Sequence, residues 1–348
     1  MKRKLTALLA AFLLILTGCE TPAGTAEAEG GDGNDTIEIG MSFDSFVIER
    51  WQRDRDVFVS TAKELGATVN VQNANGDVEK QKEQIEYFIN KGVDVIVIIC
   101  IDSESLRETV EKAKNAGIKI IAYDRLVTNS NADLYITFDN YMVGKLMAEA
   151  LLSNGISGGN VLMLGGSPTD NNVPLVENGF KDVCDKYRIE VLDTMHCDGW
   201  RAELAADYVY THMDLVSQAD AIMCGNDNLA GQVIQALSVM RLAGDVMVVG
   251  QDADLEACQR IVEGTQTMTV YKPVEKLAKR AAECAIALAR GEELTGTDIS
   301  TIDDGTYTIP YIGLEPIAVT ADNMDEVIIG SGFHLKEDVY LYKPEQMP

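Results

Sequence analysis

Short apolar runs alternate with amphipathic segments along the chain from Thr36 onward. The apolar runs predict β-strands over residues 36–43, 67–74, 93–100, 118–124 and 134–140. The segments between them place apolar residues at helical spacing, which predicts helices over residues 51–65, 78–91 and 103–116. Because alternating strands and helices form βαβ units, this part of the chain predicts a parallel sheet with helices on both faces.

The same pattern begins again after Asn140. Further strands are predicted over residues 159–166, 189–196, 219–227, 245–253 and 265–274, and further helices over residues 141–154, 172–187, 201–215, 228–241, 254–263 and 274–291. A β-rich segment, residues 306–319, follows the last helix. The sequence therefore predicts an α/β fold of two Rossmann-like, doubly wound domains, with ligand crevices at the carboxyl ends of their strands.

The first residues follow a different pattern. A basic start, MKRK, precedes an apolar run that ends in the small residues before Cys19. A membrane-spanning helix is the alternative, but about a dozen apolar residues are too few to cross a bilayer. We therefore expect a lipoprotein signal peptide over 1–18, lipidation of Cys19 after cleavage, and a flexible linker over 19–36, rich in Gly, Ala, Glu and Asp. The mature protein would then lie outside the cytoplasm, anchored to the bacterial cell membrane by lipid.

The net charge of the chain narrows the classes of molecule that it is expected to bind. The chain has 55 acidic and 29 basic residues and a formal net charge of -26. Removal of MKRK takes away three more positive charges, which gives -29. Nucleic acid is not an expected partner, because phosphate binding needs a basic surface.

The cysteines do not indicate a metal site. Of the seven, Cys19 is assigned to lipidation, and the other six include no CxxC pair, so neither a metal nor a cofactor is expected. Cys100, Cys224 and Cys284 lie in apolar stretches that favour buried thiols. Cys184 and Cys197 are the one pair to consider for a disulfide, and Cys258 has no assigned role.

Polar and aromatic residues follow almost every predicted strand. These residues are Asp44, Asp124, Arg125, Asp170, Asn171, Asn172, Asp198, Trp200, Asn226, Asp227, Asp252, Asp254 and Lys272. Each alone could be a helix cap or a turn residue. Together they suit a sugar, because paired planar groups can bind vicinal hydroxyls and a flat aromatic ring can cover the apolar face of a pyranose. Trp51 and Trp200, the two tryptophans, supply one such ring per domain.

Catalytic motifs are missing from the sequence. It has no GxGxxG after the first strand, no GxxxxGK[ST] and no GxSxG. His196, His212 and His334 have no plausible nucleophile as a sequence neighbour. Paired carboxylates for glycoside hydrolysis remain open, since Asp and Glu are abundant, but a binding protein is favoured over an enzyme.

The ordered motifs ERWQRDRDVFV, VQNANGD, IAYDRL, ITFDN, GGSPTDNN, DGW, ND, GQDADL and GTQTMTVYKP resemble the ribose type of periplasmic sugar-binding proteins, and most of all the D-xylose-binding proteins of ABC importers. The resemblance spans residues 37 to 280. It implies a type I periplasmic binding fold whose lobes are joined by a three-segment hinge. The expected N-terminal lobe is 37–139 plus 273–309, and the C-terminal lobe is 140–272 plus 310–348.

The resemblance also implies which residues bind the sugar. Trp51 and Trp200 would flank the ring, and the hydroxyls would be held by Arg50, Asp124, Arg125, Asp170, Asn172, Asn226, Asp252 and Lys272. The expected partners are a monosaccharide and a membrane permease, and the expected state is a monomer. A chemoreceptor or histidine kinase as partner, and ribose, arabinose or glucose as ligand, remain alternatives.

The segment ERWQRDRD contains expected ligand-binding residues as well as expected structural and surface residues. Trp51 shares a helical face with Phe58, Ala62 and Leu65, so it could be a core residue as well as a ligand-binding one. Arg53 and Arg55 are expected to be surface charges that pair with Asp54, Asp56 or Glu49.

Overall fold

Two sheets organise residues 36–347, the part of the chain that the computed structural model describes. The predicted signal peptide over 1–18, the lipidation site Cys19 and nearly all of the predicted linker lie outside the described residues. Within the described part, the search for a helix long and apolar enough to cross a membrane finds none.

The elements alternate as the hydrophobic pattern predicts. The first are β1 (Glu38–Phe43), α1 (Arg50–Glu64), β2 (Thr68–Asn73), α2 (Val78–Lys91), β3 (Val95–Ile98), α3 (Arg107–Asn115), β4 (Lys119–Tyr123) and β5 (Leu134–Phe138). Next come α4 (Asn140–Ser153), β6 (Gly159–Gly165), α5 (Asn172–Tyr187), β7 (Ile189–His196), α6 (Glu203–Thr211), α7 (Met213–Val216), β8 (Ala221–Cys224), α8 (Asp227–Val239), β9 (Met247–Val249), α9 (Leu255–Glu263) and β10 (Thr269–Tyr271). The last are α10 (Val274–Ala289), β11 (Ser300–Asp303), β12 (Thr308–Leu314), β13 (Ile317–Val319) and α11 (Lys336–Val339).

The first lobe is built on a seven-stranded sheet with the order β11-β12-β5-β4-β3-β1-β2. All neighbours are parallel except the edge strand β11, which is antiparallel to β12. One face packs on α1 and α10 through residues such as Phe58 and Leu277, and the other packs on α2 and α3 through Phe88 and Val110.

The second lobe is built on the parallel sheet β7-β6-β8-β9. A single bridge between Val249 and Met268 joins this sheet to the antiparallel pair of β10 and β13. Helices α4 and α5 cover one face and α6 and α8 cover the other. Two doubly wound lobes are therefore confirmed as the fold.

The chain passes between the lobes three times. It enters the second lobe after β5, returns to the first at α10, and leaves again between β12 and β13. The expectation that residues from 310 onward belong to the second lobe is wrong for residues 310–314, because β12 pairs with β5 as far as Leu314. The error arises because residues 306–319 read as one β-rich run. Only Glu315 and Pro316 separate two strands that belong to different sheets.

The segment after β13 was not predicted as helical. It forms a 3₁₀ turn over Ala321–Asn323, a π-helical turn over Asp325–Ile329, then α11. Phe333 and Tyr340 in this segment pack with Tyr271 and Ile261 of the second lobe. The last described residues therefore pack against the second lobe.

The cysteines of the described residues are all buried thiols. Cys184 and Cys197 are both free, so the disulfide considered for this pair is not formed. Burial raises the pKa of each of these two thiols to about 12, which keeps them protonated at neutral pH.

A buried carboxylate at the start of α8 connects the loops of the second lobe. Asp227 accepts hydrogen bonds from Thr269 Oγ1 at 2.6 Å, Gln266 Nε2 at 2.8 Å and the backbone N–H of Asp254 at 3.2 Å. Burial raises the pKa of Asp227 to about 7, and the nearby Asp252 carboxylate contributes to the rise. Folding therefore takes up a proton at this site under mildly acidic conditions.

We expect this proton to make stability depend on pH. An unperturbed Asp carboxyl has a pKa of 3.8, against about 7 for Asp227 in the folded protein. The folded protein thus holds a proton that the unfolded chain has lost, so the contribution of Asp227 to the free energy of unfolding decreases as pH rises from about 4 to 7 and is absent above that range. Differential scanning calorimetry of Asp227→Asn should show a flatter decline of melting temperature over this interval than the unmodified protein. Asp245→Asn, at an exposed position, serves as the control, and equal slopes for both variants would contradict the assignment.

Candidate functional site

A cavity of about 20 Å³ lies between the two lobes, at the carboxyl ends of their strands. We call it the central cavity. It is lined by Ile48, Arg50, Trp51, Asp124, Arg125, Asn140, Asp170, Asn172, Trp200, Gln251, Asp252 and Lys272. Its position is the usual one for ligand sites in open α/β sheets.

Nine of the ten residues predicted to bind ligand line the central cavity, and Asn226 does not. Asn226 is buried beside it, where its Oδ1 accepts a hydrogen bond from Leu229 N–H and caps α8. Sequence reasoning missed Ile48, Asn140 and Gln251. Asn140 and Gln251 are strand-end polar residues like the others, so the same signal could have found them.

Arg50 is held on the first lobe by two carboxylates. Its Nη1 lies 2.9 Å from Asp124 Oδ2, and its Nη2 lies 3.0 Å from Asp54 Oδ1. Asp54 also accepts a hydrogen bond from the Tyr123 hydroxyl and is fully buried. The expectation that Asp54 balances surface arginines is therefore wrong, because the i, i+4 spacing on α1 turns it inward to Arg50.

The other arginines of this segment lie further out. Arg53 donates to Glu275 Oε1 at 2.8 Å and to the carbonyl oxygen of Phe333 at 2.6 Å, instead of pairing with a neighbour in sequence. It thereby links α1 to the C-terminal segment on the second lobe. Arg55 pairs with Asp56 at 2.7 Å, as expected for a surface charge.

Three cationic side chains act on the Asp124 carboxylate in the cavity wall. Burial by itself would raise its pKa, but Arg50, Lys272 and Arg125 together lower the pKa below its ordinary value. The carboxylate is therefore ionised at neutral pH and can accept hydrogen bonds from hydroxyl groups.

Arg125 connects the lobes through the cavity wall. Its Nη1 lies 2.8 Å from Asp44 Oδ2 on the first lobe, and its Nε lies 2.7 Å from Asp170 Oδ2 on the second. Burial would lower the pKa of Arg125, but Asp170 and Asp44 outweigh this effect and raise it. The guanidinium group is thus a permanent donor between two acceptors.

The two tryptophan rings face the same arginine. The guanidinium carbon of Arg125 lies 5.7 Å from the ring centre of Trp51 and 5.9 Å from that of Trp200. Trp51 belongs to the first-lobe core, as its helical face predicts, and it also lies in the wall of the central cavity. Trp200 packs directly on Gly166, where a Cβ atom would collide with its indole ring.

Hydrogen bonds join the lobes beside the cavity. Asn172 Nδ2 donates to the carbonyl oxygen of Asp124 at 3.1 Å, and the Tyr135 hydroxyl donates to Asn172 Oδ1 at 3.2 Å. Ser103 Oγ donates to the carbonyl oxygen of Thr169 at 3.0 Å. The structure therefore describes a closed arrangement in which the strand ends of both lobes meet.

Three residues of the cavity wall have left-handed backbone conformations. The φ angles are 62° at Asp124, 58° at Trp200 and 99° at Asp252. Such conformations cost energy in residues other than glycine and are typical of ligand-binding sites, where the surrounding structure maintains them. Lys272 Nζ lies 3.2 Å from Asp252 Oδ1, which helps to hold that loop.

Buried polar atoms without hydrogen-bond partners concentrate in the central cavity. Within residues 36–347 four such side-chain atoms form no hydrogen bond: Trp51 Nε1, Trp200 Nε1, Gln251 Oε1 and Asp252 Oδ1. All four belong to residues that line the cavity, but Asp252 Oδ1 is in the ion pair with Lys272, which leaves three atoms without a polar partner. An unpartnered buried polar atom is costly, so two indole donors and one amide acceptor around one cavity indicate a polar ligand.

The chemistry of the wall favours a neutral, hydroxyl-rich ligand. Carboxylates, amides and cations alternate around it, and two aromatic rings border it. Among the described residues, no group of three or more His, Cys, Asp or Glu side chains is arranged to hold a metal ion.

Comparisons with known proteins agree with this chemistry. Residues 39–293 match the family described as the periplasmic binding protein domain. The chain is 44% identical over 309 residues to the D-xylose-binding periplasmic protein of Haemophilus influenzae, which covers 87% of this chain and 92% of that one. It is 43% identical over 308 residues to the D-xylose-binding periplasmic protein of Escherichia coli, with the same coverage of 87% and 92%.

A solved structure shows the same fold. The ABC transporter solute-binding protein of Clostridium phytofermentans, determined with bound β-D-glucose, superposes with a TM-score of 0.78 at 29% identity and covers 87% of this chain and 99% of that one. The strand-end cavity, the motifs that line it and these matches agree: the chain belongs to the periplasmic binding protein family, with the type I fold, and is a sugar-binding transport protein and not an enzyme.

Proposed function

We propose that this protein is the lipid-anchored receptor of an ABC importer that captures D-xylose. The observation that carries the proposal is the set of three unpartnered buried polar atoms around the central cavity, Trp51 Nε1, Trp200 Nε1 and Gln251 Oε1. A pentopyranose offers hydroxyls, each both donor and acceptor, which can pair with them. The two curated relatives at 43–44% identity are D-xylose-binding proteins, which favours this sugar over other monosaccharides.

The wall residues have two kinds of role in this proposal. Trp51 and Trp200 cover the apolar faces of the sugar ring. The hydroxyls are bound by Arg50, Asp124, Arg125, Asp170, Asn172, Asn226, Asp252 and Lys272. Asn226 acts through Nδ2, because its Oδ1 is already engaged at the start of α8.

Binding drives closure of the lobes. A sugar in the central cavity contacts Trp51 and Asp124 of the first lobe together with Trp200 and Asp252 of the second, so it binds the closed form more tightly than an open one. The difference between these affinities is the free energy available to favour the closed form. The membrane permease then recognises the closed surface. A chemoreceptor or histidine kinase that recognises the same surface is the second candidate partner.

Calorimetric titration of residues 36–348 with D-xylose, ribose, arabinose and glucose tests the proposal. We expect one binding site and the tightest binding for D-xylose, because glucose must fit an extra hydroxymethyl group, whereas ribose and arabinose have at least one hydroxyl in a different orientation, which would leave polar groups of the wall unpaired. Tighter binding of another monosaccharide would change the assigned substrate. Failure to bind any of the four would overturn the proposed function.

Variants of Trp51 provide the control for this titration. Trp51→Phe keeps an aromatic face and Trp51→Leu keeps only apolar volume, so stacking predicts that the Leu variant binds up to about tenfold more weakly than the Phe variant. Arg55→Ala, at a position outside the cavity wall, should bind as the unmodified protein does.

The lipid anchor is the second part of the proposal. The sequence LTGC after a basic start and an apolar run supports acylation of Cys19, with residues 19–36 as a tether outside the cytoplasm. We expect Cys19→Ser, expressed in a Gram-positive host, to shift the protein from the membrane fraction to the medium on immunoblots. The unmodified protein should remain with the membrane. Equal membrane retention of both forms would contradict lipidation at Cys19.

A further inference from the structure

We propose that Gln251 determines sugar specificity by accepting a hydrogen bond from one ring hydroxyl. This inference rests on the proposed function. Gln251 lines the central cavity, is almost fully buried and carries one of the three unpartnered atoms, Oε1. Neither the strand-end pattern nor the family motifs assigned it a role.

The amide of Gln251 has a fixed orientation. Its Nε2 donates to the carbonyl oxygen of Gly225 at 2.5 Å. A flipped amide would place Oε1 against that carbonyl oxygen, and two acceptors repel each other. The end of the side chain that is left without a partner is therefore the acceptor, and a donor is needed to satisfy it.

The backbone of Gln251 is held equally firmly. Its carbonyl oxygen accepts a hydrogen bond from Asp227 N–H at 2.9 Å, and the next residue, Asp252, donates its N–H to Val270 at 2.9 Å. Moving this backbone would therefore break contacts with both α8 and β10. A preorganised acceptor of this kind discriminates better than a mobile one.

Among the described residues, no protein group takes the place of a sugar hydroxyl as hydrogen-bond donor to Gln251 Oε1. Gln251 borders an adjoining recess of about 10 Å³ whose wall includes Val173, Val176 and Met223 together with Asn172 and Trp200. Asn172 Nδ2 donates to the carbonyl oxygen of Asp124 instead, and no donor among the described residues is hydrogen-bonded to Oε1. A ligand without a hydroxyl at the right place would leave the acceptor buried and unsatisfied, which is the situation that gives strong discrimination.

The test combines the variant Gln251→Met with the four monodeoxy analogues of D-xylose in calorimetric titrations. Methionine has a similar length and no comparable acceptor. In the unmodified protein we expect each removed hydroxyl that is bound to weaken binding by about tenfold or more. In Gln251→Met, D-xylose should weaken by about tenfold, while the analogue that lacks the hydroxyl paired with Gln251 should bind as it does to the unmodified protein.

A structural role would give a different pattern. If Gln251 only supports the loop through Gly225, Gln251→Met will weaken D-xylose and all four analogues by the same factor, and the inference is overturned. Unchanged binding of every sugar overturns it as well. Gln235→Met, at an exposed position on α8, is the matched control and should change none of the affinities.

If the unmodified protein does not bind D-xylose, the proposed function fails and this inference falls with it. If D-xylose does bind, the pattern of affinities across the four analogues tests the role of Gln251 separately from the proposed function.

Discussion

The ion pair between Arg125 and Asp170 is the contact on which the closed arrangement depends. It crosses from one lobe to the other in the wall of the central cavity, and both side chains are almost fully buried. Burying two charges costs free energy that their attraction offsets only when the remaining hydrogen-bonding groups are satisfied. Asp44 on the first lobe is the second carboxylate paired with Arg125. Closure therefore needs further favourable contacts, and a sugar that pairs the three unpartnered atoms would supply them.

Within the described residues, buried side-chain polar atoms without hydrogen bonds occur only in the wall of the central cavity. Elsewhere, helices begin at ordinary side-chain caps such as Asp77 and Asp139. In the cavity wall, Asp124 and Asp252 also have left-handed backbones. Well-packed lobes can stabilise this local cost, and the strain holds side chains where a ligand can reach them.

Sequence reasoning predicted the lobes and most of the site, because helical and strand periodicity are local and strand ends converge by topology. The bounds of α2 and α5 were predicted to the residue. Contacts that join distant segments were not predictable. No local signal shows that Arg53 reaches Phe333 or that the amide of Gln251 is fixed by Gly225. The edge strand β11 and the turns after β13 were missed for the same reason, since packing against other elements stabilises them.

Both tryptophans of the chain line the central cavity, so intrinsic fluorescence tests the central claim most directly. A ring placed between Trp51 and Trp200 changes the surroundings of every tryptophan at once. Titration with D-xylose should therefore give a saturable change in tryptophan emission, with the same midpoint as the heat measured by calorimetry. Calorimetric binding of D-xylose without any change in tryptophan emission would place the sugar elsewhere and contradict the account.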